Sequence, residues 1–365
     1  MAASKAYLAI VCIGVFAVMA LSNAVVPVLT VFAGDSAWQG AIYAAYFFGA
    51  FVSTLPGGLL SDRHGSVLVI RTGLLLTVVS GTLLFFASTP FTAVMLRGCE
   101  GIGAGLFVAA ALSYINSRDD HILMSGYYMA MLNLGLVLGL VIAGWLAVQY
   151  SDPALGIGVF TLFTLVACAG SMLTNAGPGP GGERINSSGM SAAILHRPWL
   201  WYSVVVLVGI TGVVSSLYPK FSGETPDMLG LWIAGMSVAT IITVVIISRV
   251  PLPPVPVIRW CAVFMAAGVL IAYFTPLGFI VLGSFAGVVM IAQMAILAGD
   301  RAHQGLLMGL FSTTSYLGMA VLPFVAGIVA ETGGFLLAFV ITAVVSGSVA
   351  VFMTWSGFRS CTAPE

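Results

Sequence analysis

Between two long apolar runs, residues 57–71 read Gly57-Gly58-Leu59-Leu60-Ser61-Asp62-Arg63-His64-Gly65-Ser66-Val67-Leu68-Val69-Ile70-Arg71. An acid, two arginines and a histidine are gathered in one short interruption of a chain that is otherwise almost free of charge. Charged side chains are costly at hydrocarbon depth and collect where a chain leaves a membrane. The stretch therefore reads as the hinge between two membrane-spanning helices.

Composition supports that reading. Of 365 residues, 60% are hydrophobic and only 7% charged, too much apolar surface for a soluble fold. The apolar runs are near the roughly 20 residues a spanning helix needs, and they lack the period-two alternation of membrane barrel strands. The class is all-helical. A net charge of +0 with no basic run offers nothing for the phosphate contacts of nucleic acid, so no nucleic-acid partner is expected. Five cysteines (Cys12, Cys99, Cys168, Cys261 and Cys361) show no metal-binding spacing and read as packing residues. No metal or other cofactor is expected. The four histidines, His64, His121, His196 and His303, all fall in connections, and no phosphate-binding loop is present, so ATP is not a direct energy source.

Outward from the hinge, charged and Pro/Gly-rich breaks delimit twelve apolar segments. They lie at 7–33, 37–60, 66–88, 91–115, 122–149, 153–175, 199–221, 228–250, 255–274, 276–298, 304–330 and 334–356. The first run is too long for a signal-peptide core and counts as a span. Connections are short except for 177–198, where Gly-Pro-Gly-Pro-Gly-Gly opens a polar linker. Around that linker the chain repeats. A shift of 183 positions (301 − 118) lays Arg118 on Arg301, Gly126 on Gly309, Leu134-Gly135 on Leu317-Gly318 and Ala143-Gly144 on Ala326-Gly327. The expected organisation is a six-helix bundle at 1–176, the linker at 177–198 and a second bundle at 199–365. Lys5, Arg63, Arg71, Arg118, Arg184, Arg197, Arg249, Arg259, Arg301 and Arg359 fall on one side if both termini are cytoplasmic. Only Lys220 lies opposite, with Arg97 inside a span, and this asymmetry sets the expected orientation.

Three motifs resemble signatures of the major facilitator superfamily (MFS). Gly58, Asp62, Arg63 and Gly65 match its Gly-x-x-x-Asp-Arg-x-Gly hinge, although Ser66 and Val67 stand where further basic residues usually follow, with Arg71 a partial replacement. Arg97, Gly101, Gly103 and Gly105 match the Arg-x-x-x-Gly-x-Gly pattern of its fourth helix. Gly126, Gly135, Gly139 and Gly144 resemble its antiporter signature in segment five, with Leu140 in place of a proline and Ala143 in place of one glycine; Pro323 holds the repeat-equivalent position in segment eleven. Small residues on one face also serve plain helix packing. The resemblance covers essentially the whole chain. It implies twelve transmembrane helices in two pseudo-symmetric six-helix bundles that rock about a midplane site.

Within the spans Arg97 and Glu100 are the leading candidates for substrate binding or proton coupling. At i and i+3 they can form an ion pair, or Glu100 can exchange a proton. Burial and the neighbouring guanidinium act on its protonation in opposite senses. The resemblance lines the central cavity with helices one, four, seven and ten, which adds Asn23 and Gln293; Tyr43, Tyr46, Asn133 and Tyr316 are further polar residues inside spans. Asp62, at the negative end of its helix dipole, needs a partner, either Arg118 or the start of segment eleven after Asp300-Arg301. With Gly58, Arg63 and Gly65 it forms the expected cytoplasmic gate. The functional expectation is proton-coupled efflux of small drug-like or amphiphilic compounds by a monomer in the plasma membrane. Uptake or uniport of a small metabolite is the alternative. A membrane enzyme or sensor on the same scaffold is the rival class, but only Arg97 and Glu100 lie firmly within spans as reactive groups, and no sizeable soluble domain fits.

Overall fold

The computed structural model describes residues 2–116, 118, 121–174, 197–250, 252–298 and 304–360, all of the linker before Arg197 lying outside them. Among the described residues, twelve helices are long and apolar enough to cross a membrane. They are α1 (Ala2–Ala24), α2 (Ser36–His64), α3 (Ser66–Phe85), α4 (Pro90–Asn116), α5 (His121–Gln149) and α6 (Leu155–Leu173), then α7 (Pro198–Ser222), α8 (Pro226–Ile247), α9 (Pro254–Phe274), α10 (Leu277–Ala298), α11 (Gln304–Gly333) and α12 (Phe335–Ser360). Each matches one expected segment.

The boundaries follow local chemistry. Pro90, Pro198, Pro226 and Pro254 each open a helix, where a missing N–H costs nothing. Gly65, Gly223 and Gly334 occupy positive φ in the turns after α2, α7 and α11. Two differences from the expected segments matter. The first span is not one helix: Pro27 sits in a 3-10 turn, Val26–Val28, before a last helical piece, Leu29–Phe32. In addition, α2 runs past residue 60 to His64, so Asp62 and Arg63 belong to its last turn and Gly65 alone (φ 87°) makes the bend.

Helix pairing is two-fold repetitive. In the first six helices α1 packs on α5 and α6, α2 on α4, and α3 on α4 and α6. Six positions on, α7 packs on α11 and α12, α8 on α10, and α9 on α10 and α12. The bundles meet by the same rule, α2 against α11 and α8 against α5. The sequence repeat maps onto this symmetry. A β-carbon on Gly135 would strike the Phe16 carbonyl of α1, and one on Gly318 the Val205 carbonyl of α7.

With an even number of alternating spans both termini emerge on one face, here called the near face. On the far half the bundles approach closely through small residues. Gly40 faces the Pro323 carbonyl and Gly230 the Leu140 carbonyl, while Gly327 meets the first turn of α2 and Gly144 the first turn of α8. These are repeat-equivalent pairs. Toward the near half Gly309 touches only Leu55, at 3.9 Å from a notional β-carbon, and Gly126 has open space. The outer surface is apolar, with Leu75 and Val79 on α3, Leu162 and Val166 on α6, Phe264 on α9 and Val344 on α12 all exposed. A contiguous apolar belt of this kind belongs in lipid, which requires every spanning segment to satisfy its own backbone.

Candidate functional site

The site begins with the glycines of α4. Gly101 and Gly105, one helical turn apart, press on Tyr46 and on Ala50 and Ser53 of α2, whereas Gly103 points the other way onto Gly73 and Thr77 of α3. Without side chains there, α4 is drawn between two neighbours at backbone contact. The polar groups one turn earlier on α4 are thereby enclosed.

Arg97 is 1% exposed and Glu100 0%, and they form an ion pair, Nη1 donating to Oε2 over 2.9 Å. Arg97 Nη2 donates to the Ser22 carbonyl of α1 at 3.1 Å, and its guanidinium lies over the Tyr46 ring, 4.5 Å from the centroid. Two polar atoms of the pair, Arg97 Nε and Glu100 Oε1, have no hydrogen-bond partner. A buried pair with spare valences is costly, because desolvation is offset only when the remaining lone pairs and protons are also satisfied.

Aromatic rings lead away from the pair, beginning with Tyr46. Tyr43 and Tyr46 of α2 and Tyr128 of α5 are buried, Tyr128 with its hydroxyl unpartnered. Tyr316 of α11 brings in the second bundle. Its ring is 6.3 Å from Phe47, itself 5.1 Å from Tyr43, and Tyr46, Tyr128 and Tyr316 are electrostatic neighbours. Tyr316 and Phe47 are only half-buried. The result is a tyrosine-rich shell that begins with Tyr46 stacked on Arg97 and reaches, through Phe47, Tyr316 of the second bundle.

Other expected site residues lie elsewhere. Asn23 donates to the Leu136 carbonyl at 2.9 Å, pinning α1 to α5 next to Ser22. Gln293 is fully buried and donates to Ser203 Oγ at 3.1 Å between α10 and α7, near a cluster that includes Trp201, Leu297 and Phe311 rather than among Arg97's contacts. Asn133 bonds to the Met129 carbonyl of its own helix. Gly135 and Gly139 seat α5 on α1, Gly144 seats it on α8, and Gly126 touches nothing, so the segment-five glycines serve packing on two different neighbours.

At the near face, Ser61 Oγ and Ser66 Oγ bond across Gly65 at 2.9 Å. Asp62 and Gly58 are half-buried, Arg63 is exposed, and Arg118 follows the end of α4. Asp300 and Arg301, considered as the opposing partner, lie outside the described residues. Arg71 does not extend the hinge. It donates to the carbonyls of Ser171 (2.9 Å) and Thr174 (3.1 Å) and so caps the C-terminal end of α6, where a cation is favoured by the helix dipole. Unforeseen from sequence was a far-face cluster in which Glu331 contacts Lys220 and Ser36.

Twelve spans in two pseudo-symmetric bundles, with a charge pair buried in α4, define the architecture. The sequence model described as "Major Facilitator Superfamily" matches residues 8–255, and the chain belongs to that superfamily and with it to the secondary transporters of small solutes. Membership makes it a carrier rather than an enzyme. Solved structures share the fold. A mutant of the nucleoside transporter NupG is 12% identical with a TM-score of 0.74, over 95% of this chain and 99% of that one. A bacterial homologue of the human lysosomal transporter Spinster is 13% identical with a TM-score of 0.75, over 97% and 96%. A D-xylose–proton symporter is 15% identical with a TM-score of 0.72, over 96% and 96%. No curated protein sequence matches.

Proposed function

We propose that the protein is a proton-coupled antiporter that exports small drug-like or amphiphilic compounds across the plasma membrane. It works as a monomer, with bundles 1–176 and 199–365 rocking about the midplane and residues 177–198 as a cytoplasmic linker. The observation that carries this reading is the Arg97–Glu100 pair, buried in α4 and linked through Tyr46 and Phe47 to Tyr316 of the second bundle. Glu100 is the proton carrier and Arg97 holds its carboxylate when it is ionised. Protonation would release Arg97, so its remaining donors become available at the moment the site must change partners. The tyrosine shell supports flat or amphiphilic organic substrates, since aromatic faces offer apolar contact and hydroxyls offer a few directional bonds. Asn23 stands beside this site, and Gln293 acts within the second bundle.

Uptake of a small panel of aromatic, amphiphilic and sugar substrates into proteoliposomes, with and without an imposed pH gradient, tests the proposal. Gradient-dependent movement of an amphiphile is expected. Movement of a sugar alone, indifferent to the gradient, would replace it with facilitated uptake.

The orientation has its own test. His64 and Glu224 are exposed on opposite faces. In a cysteine-free background, Glu224→Cys should react with an impermeant thiol reagent added outside intact cells and His64→Cys should not. The reverse pattern places the termini outside.

Asp62, with Gly58, Arg63, Gly65 and Arg118, forms the proposed cytoplasmic gate. A charge near a helix terminus is worth about 0.3–1 kcal/mol. Asp62→Asn should therefore shift the inward-open population roughly two- to fivefold and slow transport without unfolding the protein. An unaltered rate with unaltered cysteine accessibility of the cytoplasmic side would make Asp62 a simple surface charge.

A further inference from the structure

On the far face one carboxylate is shared by both bundles. Glu331, near the end of α11, accepts the backbone N–H of Ser36 through Oε2 at 2.8 Å, and the same oxygen accepts Lys220 Nζ of α7 at 3.0 Å. Ser36 is the first residue of α2, in the other bundle, while Lys220 belongs to Glu331's own bundle. The first N–H groups of a helix have no partner inside it, and the dipole there favours a negative charge. In α2 two carboxylates divide these donors. Asp35 caps from its own chain segment, accepting Trp38 N at 2.7 Å, and Glu331 takes Ser36 from across the seam. Immediately below, Gly327 faces Ser36 and Ala37, and Gly40 faces Pro323.

We propose that Glu331 is a far-side latch, a charged bond to the α2 N-terminus that holds the outer ends of the bundles together and must break each time that side opens. Lys220 keeps the carboxylate on its own bundle when it lets go, so the latch resets on one side only. The proposal rests on the alternating-access reading but not on substrate or coupling ion, and its test needs neither.

Spin labels at Val31 and Glu224, exposed on the far face in different bundles, report the outer separation, and labels at His64 and Arg249 report the near face. Distance distributions are measured by double electron–electron resonance on the full chain in a cysteine-free background. Glu331→Ala should raise the fraction with long far-face distances up to about fivefold, the upper worth of an exposed charged contact, with a matching rise in short near-face distances. Ser36→Pro is the second variant. It deletes the N–H donor, together with the buried hydroxyl, at a position where proline suits a helix start, after an Asp35 already extended at φ −104° and ψ 153°. It should shift the same populations, and the double variant should go no further than the larger single effect. Unchanged far-face distances in Ser36→Pro, or fully additive shifts, would overturn the latch.

Discussion

Arg97→Ala should abolish transport and lower the thermal stability of the purified protein by an amount corresponding to about 3–5 kcal/mol, because it leaves Glu100 buried and unpaired. The magnitude rests on burial, with the two side chains 1% and 0% exposed, and on the bond lost to the Ser22 carbonyl. Glu100→Gln should behave differently. An amide keeps the shape and an acceptor for Arg97, whose charge also meets the Ser22 carbonyl and the Tyr46 ring, so the loss of stability should be smaller than in Arg97→Ala. It cannot carry a proton, so accumulation against a gradient should vanish while exchange of substrate at equilibrium persists. Replacing both partners together with Met and Leu removes the unpaired charge, and that variant should melt no lower than wild type yet fail to transport. Melting curves in detergent and fluxes in proteoliposomes read the two consequences separately. Accumulation by Glu100→Gln would make the pair a structural tie. A stable Arg97→Ala would show that Glu100 takes up a proton or reaches water once its partner is gone.

The second large effect concerns Gly101. A β-carbon there would fall on the Tyr46 carbonyl oxygen and within 3.0 Å of the Tyr46 Cα, both backbone atoms of α2 that cannot swing aside. Forcing a methyl into packed structure costs about 1–3 kcal/mol, occasionally more, and here it would also separate α4 from α2 beside the charge pair. Gly101→Ala should sharply reduce the yield of folded monodisperse protein, and whatever folds should transport poorly. Gly126→Ala is the control. Nothing lies within 4 Å of its notional β-carbon, and alanine is the better helix former by about 1 kcal/mol, so stability should hold or rise. If size-exclusion profiles and melting curves of the two variants coincide, close approach of α4 and α2 is not what the glycine provides.

These cases show why some features were legible in the chain and others not. The twelve spans were readable because lipid imposes a length and an apolar composition on every segment, and a single proline or glycine marks many of the ends. The Arg97–Glu100 pair was readable because i,i+3 neighbours share a helix face whatever the tertiary structure. The 183-residue repeat was readable because equivalent glycines make equivalent helix contacts in the two bundles, as Gly135 and Gly318 do. Arg71 was misplaced. Its position near the hinge drew attention along the sequence, whereas the carbonyls it caps are 100 and 103 residues away.

By itself, then, the sequence determined the helical class, the number of spans, the two-bundle repeat and the local charge pair, all set by the solvent-like demands of the bilayer and by helical periodicity. Only the tertiary structure decided that a run of rings leads from Tyr46, stacked on Arg97, to Tyr316 of α11. It alone separated the glycines that seat α5 on α1 from the one that seats it on α8, and brought Glu331 to the first turn of α2, 295 residues away. Such contacts join residues remote in sequence through the relative placement of whole helices. No local pattern of charge, size or hydropathy encodes that placement, since each of these residues has an equally good reason, read alone, to be where it is.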